Sequence, residues 1–526
     1  VQSRHATVEA ADDSPARHAA LADVERRAGT LDACPAARAG SPGAAAPRAT
    51  TGVFLAALGF LLLTHGGHFY AADSLIVHLT TTRLLEEQRL DLGEIWGTVK
   101  GPDGKRYGRY GIGLSVLQAP LAWLGKRVDA RYPDGFAALA GPGVSIYYPE
   151  SFAVFGATLV GPLCGALAAA TLWSLAGALG YARHVAALLT LLLVVATQTW
   201  PASRDGFPHV VVLLLLLLAI REAVVWRRPL ASPAARGATR GLLLLVRPFD
   251  GVLASPAILL YAAARHLRDD LRAGVLGRNV LALAVPLGLA GAVAAMHNYL
   301  RFGHVLLFDE PGTQAFNASL AVGAYGLLLS SGRGLFLYSP PLVAGLCGMP
   351  QLARRRPAEA ALLAGVALPL LAGYAVYAHW DGGLCWGPRY LAPLVPLLLL
   401  PAGELVGAGG GAAVLLWTAG AAGAFVQLVG TAVDFHRAAH ETGFTRDTLF
   451  DPVQAPILAH WSLLRAGKHL DWLALRVLAA QGAAVALAWS VLPAALLVAG
   501  LVRLRRAWRA EAAVAQRAGC AATAGE

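Results

Sequence analysis

The chain has 526 residues, of which 56% are hydrophobic and only 14% charged, and its mean hydropathy is +0.54. Soluble proteins carry about 25% charged residues, so an ordinary water-soluble domain is excluded and repeated membrane spans are expected. The net charge of +11 does not call for a nucleic-acid partner, because the arginines gather at the ends of apolar runs, as the positive-inside rule requires.

Residues 1–50 are polar, rich in Ala and Arg, and lack the early apolar core of a cleavable signal peptide. They read as a disordered cytoplasmic tail or as a translation start placed too early. Arginine far outnumbers lysine and alanine is abundant, the composition of a GC-rich bacterial genome. Cys34, Cys164, Cys347, Cys385 and Cys520 have no CxxC spacing, so neither a zinc site nor a disulfide framework is indicated.

An all-α polytopic fold of about twelve membrane helices is predicted over residues 51–505, with a cytoplasmic tail at 506–526. The first span is Gly52 to Gly66, with Arg26, Arg27, Arg38 and Arg48 before it, so Asp73 faces outward. Residues 67–150 form a first outer loop. In it Ser74 to Leu90 reads as an amphipathic surface helix, 91–111 as a short hairpin around Gly101-Pro-Asp-Gly104, and Gly111 to Leu124 as a second interfacial helix rather than a span. Ser151–Leu179, Val185–Thr199 and Phe207–Val225 are the next three spans. Two short spans then meet at Arg247-Pro248, where proline cannot continue the first helix. Val280–Met296 follows, then an outer loop at 297–332.

Leu335–Met349 and Ala358–Tyr377 lead to an outer loop at 379–389. Tyr390–Leu400 and Ala412–Thr431 lead to an outer segment at 433–472, rich in His, Asp and Arg. Val477–Leu501 is the last span. Both termini then lie inside a bacterial plasma membrane.

On this topology the ionisable residues collect at the outer face, where groups at membrane depth tend to be functional. A carboxylate there can serve as general base, and arginine forks bind phosphate oxygens. Asp73 also suits a helix N-cap, and Arg247 also suits a snorkelling position. Arg333 could equally be a flanking anchor. The stretch from His379 to Tyr390, with Trp380, Trp386 and Gly387-Pro388-Arg389, exceeds what a connector needs. His65, His68 and His209 lack metal-ligand spacing.

Several motifs recur in a fixed order: Asp73 after the first span, Tyr107-Gly-Arg109-Tyr110-Gly-Ile-Gly113, Leu245-Val-Arg247-Pro248, Asn298-Tyr-Leu-Arg301-Phe-Gly303, Tyr325 to Phe336 through Arg333, and Cys385-Trp-Gly-Pro-Arg389-Tyr390. In these the chain resembles bacterial membrane glycosyltransferases of the GT-C superfamily. These polyprenyl-phosphate-sugar-dependent enzymes are related to protein O-mannosyltransferases and the lipid A aminoarabinose transferase. The resemblance implies inverting transfer of a sugar from a polyprenyl-phosphate donor to a lipid, glycan or protein acceptor at the outer face. It implies Asp73 as catalytic base and Arg109, Arg247, Arg333 and Arg389 as phosphate-binding candidates. Trp386, Tyr390, Asp205 and His209 complete the expected substrate site. Ser74 follows Asp73 where relatives often have an acidic pair, and Asp205 and His209 stand where relatives often have Glu. No cofactor is therefore expected, and a divalent metal is not indicated. A transporter or flippase of lipid-linked glycans is the alternative reading.

Overall fold

The computed structural model describes residues 45–141, 143, 148–204, 206–225, 232–306, 316–407 and 409–523. About 75% of the described residues are helical, and the one sheet among them is a two-stranded hairpin. Five helices are long and apolar enough to cross a membrane: Phe152–Ala178, Leu276–Phe302, Pro357–Ala375, Gly410–Ala432 and Ala483–Ala510. Shorter apolar helices occupy Arg48–Leu63, Arg183–Val195 and Leu320–Leu329. The chain is a membrane protein on this ground.

The helix His209–Val224 is apolar around its whole circumference, and nearly all of it is buried. A helix of that pattern belongs inside a bundle, and here most of its residues belong to one large core cluster.

The first and last apolar helices are neighbours because small residues face each other. A Cβ on Gly59 would lie 2.4 Å from the Leu497 nitrogen, and one on Gly500 would lie 2.3 Å from the Ala56 nitrogen. Close backbone approach through small residues is a general solution for helix packing in membranes. Its consequence is positional: the segment leaving the first helix emerges beside the segment entering the last. The Leu473 N–H donates to the His65 carbonyl at 2.8 Å.

After the first apolar helix come a helix at Ala72–Glu87, a hairpin pairing Thr98–Lys100 with Arg106–Gly108, and a helix at Ile112–Arg131, much as the local patterns predict. The break at Arg247 also appears, between helices Pro233–Val246 and Pro248–Arg272.

Four expectations change. The stretch Tyr390–Leu400 is not one span. It is a 3-10 turn at Arg389–Leu394, a short helix at Val395–Leu399 and a second 3-10 turn at Leu400–Leu405. Pro393, Pro396 and Pro401 each remove a helical donor, and the irregular backbone is tolerated because it is buried in protein. The 297–332 loop contains the apolar helix Leu320–Leu329. The span at Leu335–Met349 is split into Leu335–Tyr338 and Pro341–Arg355. The last span is preceded by a separate helix, Leu473–Gln481, which ends at Gly482 with φ 81°.

Candidate functional site

Asp73 lies in the first turn of helix Ala72–Glu87, whose N-cap is Ala71 with no side-chain cap. The cap reading is therefore corrected: the carboxylate does not close its own helix. It accepts instead from Arg389 Nη2 at 2.8 Å, across 316 residues of sequence. Both partners are partly accessible, Asp73 at 21% and Arg389 at 12%. Tyr110 packs at the same carboxylate. Burial and the neighbouring Asp73 charge push its phenol well above the ordinary range, although Arg389 and Arg109 pull it down.

The 379–389 loop is shaped to deliver Arg389. Gly387 has φ 63°, and a Cβ there would lie 2.6 Å from Gln198 Oε1 and 3.0 Å from the Tyr338 ring. Only glycine meets both demands. Arg333 holds the loop from beneath. It is 1% exposed. Its Nε donates to the Asp381 carbonyl at 2.7 Å, Nη1 to the Gly332 carbonyl at 2.8 Å, and Nη2 to the Gly383 carbonyl. With every guanidinium nitrogen engaged by a backbone carbonyl, Arg333 acts as a loop clamp rather than an open phosphate fork.

Arg389 also lies 4.5 Å over the Phe207 ring and 5.2 Å over Tyr390. Tyr390 stacks on Tyr374 at 4.9 Å. Arg247 covers both rings at 5.2 and 5.3 Å, and its Nε pairs with Asp250 Oδ2 at 3.1 Å. His209 packs against Tyr390 and Phe207 at 5.7 and 5.3 Å. Thus Asp73, Arg389, Tyr390, Arg247 and His209 form one contiguous line. Arg109 contributes its carbonyl to Arg301 and borders Tyr110. Asp205 lies outside the described residues.

A crevice opens beside Arg389. Tyr70, Gln198, Arg204, Phe207, Trp386 and Arg389 contribute to its wall. Four of these carry a buried polar atom with no hydrogen-bond partner among the described residues: Arg204 Nε, Arg389 Nε, Trp386 Nε1 and Gln198 Oε1. Buried polar groups are ordinarily paired, and here three unpaired donors, two of them on arginines, belong to residues that line one crevice.

Trp386 is seated by Gly430, where a Cβ would come within 2.0 Å of the indole. Gly430→Ala is expected to destabilise the protein by about 1–3 kcal/mol through overpacking, which outweighs the helix-propensity gain of about 1 kcal/mol. A thermal melt in detergent checks this; an unchanged or raised midpoint would contradict the packing.

Beyond the crevice lies a network that sequence spacing did not reveal. Asp471 is fully buried. It accepts from Tyr70 at 2.5 Å and Arg204 Nη2 at 2.9 Å, and pairs with His68 Nε2 at 2.6 Å. Asp434 Oδ2 stands 3.9 Å from His68 Nε2, while its Oδ1 caps helix Phe435–Thr442 through the Arg437 N–H at 2.7 Å. Burial works against the Asp471 charge, but His68, Arg204 and Tyr70 outweigh it and hold the carboxyl down to about 2. Burial also opposes the His68 charge, yet Asp471 wins and the imidazole is pushed up. His68, Asp434 and Asp471 bring donor atoms within 4.8 Å of one another, the reach of a metal ion. Arg204 and Tyr70 take the Oδ2 oxygen of Asp471, and His68 pairs with Oδ1. The unusual composition of 433–472 was the only sequence signal for this network.

The sequence matches no protein-family model and no curated protein. Among solved structures the chain is similar to ArnT from Cupriavidus metallidurans bound to undecaprenyl phosphate. The identity is 14% and the TM-score 0.47, over 86% of this chain and 76% of that one. The apo state of that protein gives a TM-score of 0.48 at 14% identity, over 85% and 74%. The Archaeoglobus fulgidus oligosaccharyltransferase AglB, in complex with an inhibitory peptide and a dolichol-phosphate, gives 0.41 at 13% identity, over 87% of this chain and 56% of that one. These are distant similarities in chain arrangement.

Proposed function

We propose that the protein is an integral membrane glycosyltransferase that moves a sugar from a polyprenyl-phosphate donor to a lipid, glycan or protein acceptor at the outer face of the membrane. The observation that carries this is the Asp73–Arg389 pair at the edge of a crevice with surplus donors. Asp73 takes the proton of the acceptor hydroxyl as its oxygen attacks the anomeric carbon. The bond from that carbon to the phosphate oxygen breaks, and the electron pair leaves with the phosphate. Arg389 faces both events, because one nitrogen holds Asp73 and another is left for the departing oxyanion. A single displacement of this kind inverts the anomeric centre. Trp386, Tyr390 and Phe207 offer apolar faces for the sugar or the first prenyl units.

The alternative, transport of a lipid-linked glycan, needs no base beside the phosphate site. Purified protein in vesicles, supplied with a polyprenyl phosphate carrying a radiolabelled sugar, separates the two. Label appearing in a new glycosidic linkage supports transfer. Movement of intact labelled lipid between leaflets, without new linkage, would sink it.

A further inference from the structure

The network around Asp471 borders the crevice through two residues, Tyr70 and Arg204. Arg204 is held from three sides. Nη2 pairs with Asp471 at 2.9 Å, Nη1 donates to the Thr431 carbonyl, and its guanidinium lies 5.3 Å over the Tyr70 ring. Its Nε is buried and without a partner among the described residues. Arg389, which lines the same crevice, is arranged alike: its Nη2 is fixed by a carboxylate and its Nε is buried and unpaired among the described residues. Each guanidinium is thus oriented by one acid, and the Nε of each is unpaired among the described residues.

Resting on the transferase reading, we propose that Asp471 is the positioning residue of the donor-phosphate subsite, holding Arg204 beside Arg389 so that the two guanidinium groups meet one phosphate. Asp471 can do this because it belongs to neither wall alone. Its backbone N–H donates to the Ala432 carbonyl at 3.0 Å, at the end of helix Gly410–Ala432. Its side chain meanwhile grips His68 and Tyr70 of the first outer loop. The loop that carries Asp73 and the helix that seats Trp386 are therefore tied at one residue. An arginine left without such a partner would spread over several rotamers and lose the preorganisation that makes a fork effective.

The test uses the full chain in nanodiscs, with undecaprenyl phosphate as the probe. Asp471→Asn keeps the size of the side chain but removes its charge, and is expected to weaken probe binding about tenfold, the scale of one charge-assisted contact. Arg204→Gln is expected to do the same. If Asp471 acts through Arg204, the double variant binds no more weakly than Arg204→Gln alone. In the transfer assay Asp471→Asn should raise the donor KM with little change in kcat, a split that a general loss of fold would not give. Unchanged binding by folded Asp471→Asn, or additive losses in the double variant, would overturn the assignment. Should Asp471→Asn not fold, Asp471→Glu serves. It keeps the charge but displaces it by one methylene, so weakened binding supports positioning and full affinity refutes it. Wild-type protein that binds no polyprenyl phosphate defeats the transferase reading itself. Binding by wild type with indifferent variants defeats the Asp471 role alone.

Discussion

Asp73→Asn is expected to lower sugar transfer by about 10²–10⁴-fold, the contribution of a positioned general base, while leaving donor binding close to that of wild type. Asparagine is nearly isosteric, and its carbonyl oxygen can still accept from Arg389, which stands 2.8 Å from the carboxylate. Arg389 therefore keeps its orientation and the fold is little disturbed. What is lost is the capacity to take a proton. The measurement is kcat and donor KM from initial rates, with binding of a polyprenyl phosphate as the control. Asp73→Ala is a poorer probe, because it leaves a guanidinium that is only 12% exposed without its acid. Normal turnover by Asp73→Asn would remove the catalytic-base assignment.

Arg389→Gln is expected to reduce transfer by about 10²–10³-fold, the cost of removing one preorganised donor from a developing oxyanion, and to weaken donor binding as well. Three contacts converge on this side chain: Asp73, the Phe207 face and the Tyr390 face. Arg389→Lys keeps the charge but neither the planar fork nor the stacking, so it should restore little. The loss belongs to the site more than to the fold, because Asp73 is 21% exposed and stays hydrated when its partner goes. A combined effect on kcat and KM distinguishes Arg389 from Asp73, whose variant acts on kcat alone. An Arg389→Lys variant with full activity would show that simple charge suffices and that the fork geometry is unimportant.

Several features of the fold were legible because each depends on neighbours in sequence. The amphipathic pattern after Ser74 gave the helix Ala72–Glu87, and Gly-Pro-Asp-Gly gave the hairpin turn between Thr98–Lys100 and Arg106–Gly108. Arg247-Pro248 marked a helix junction through the missing donor of proline. The same rule applied to Pro393, Pro396 and Pro401 would have broken the stretch after Tyr390, where hydropathy alone suggested a continuous span. The loop from His379 to Tyr390 stood out by its glycines and tryptophans, and Arg389 of that loop does meet Asp73.

Whether a given arginine is free to bind or already committed could not be read that way. Arg333, Arg247 and Arg389 look alike in sequence, each beside an apolar run. The tertiary structure spends Arg333 on three backbone carbonyls, sets Arg247 on two tyrosine rings beside Asp250 with one nitrogen unpaired, and leaves an unpaired nitrogen on Arg389, which lines the crevice. His68 and Asp471 are 403 residues apart, and no local periodicity connects them. They meet because Gly59 and Gly500 let the first and last apolar helices pack backbone to backbone. By itself, then, the sequence determined the membrane class, the apolar helices and the local turns, since hydropathy and backbone chemistry act over a few residues. Only the folded chain decided which charges neutralise each other and which remain for a ligand, since a hydrogen bond or ion pair depends on atoms brought within about 3 Å, wherever they lie along the chain.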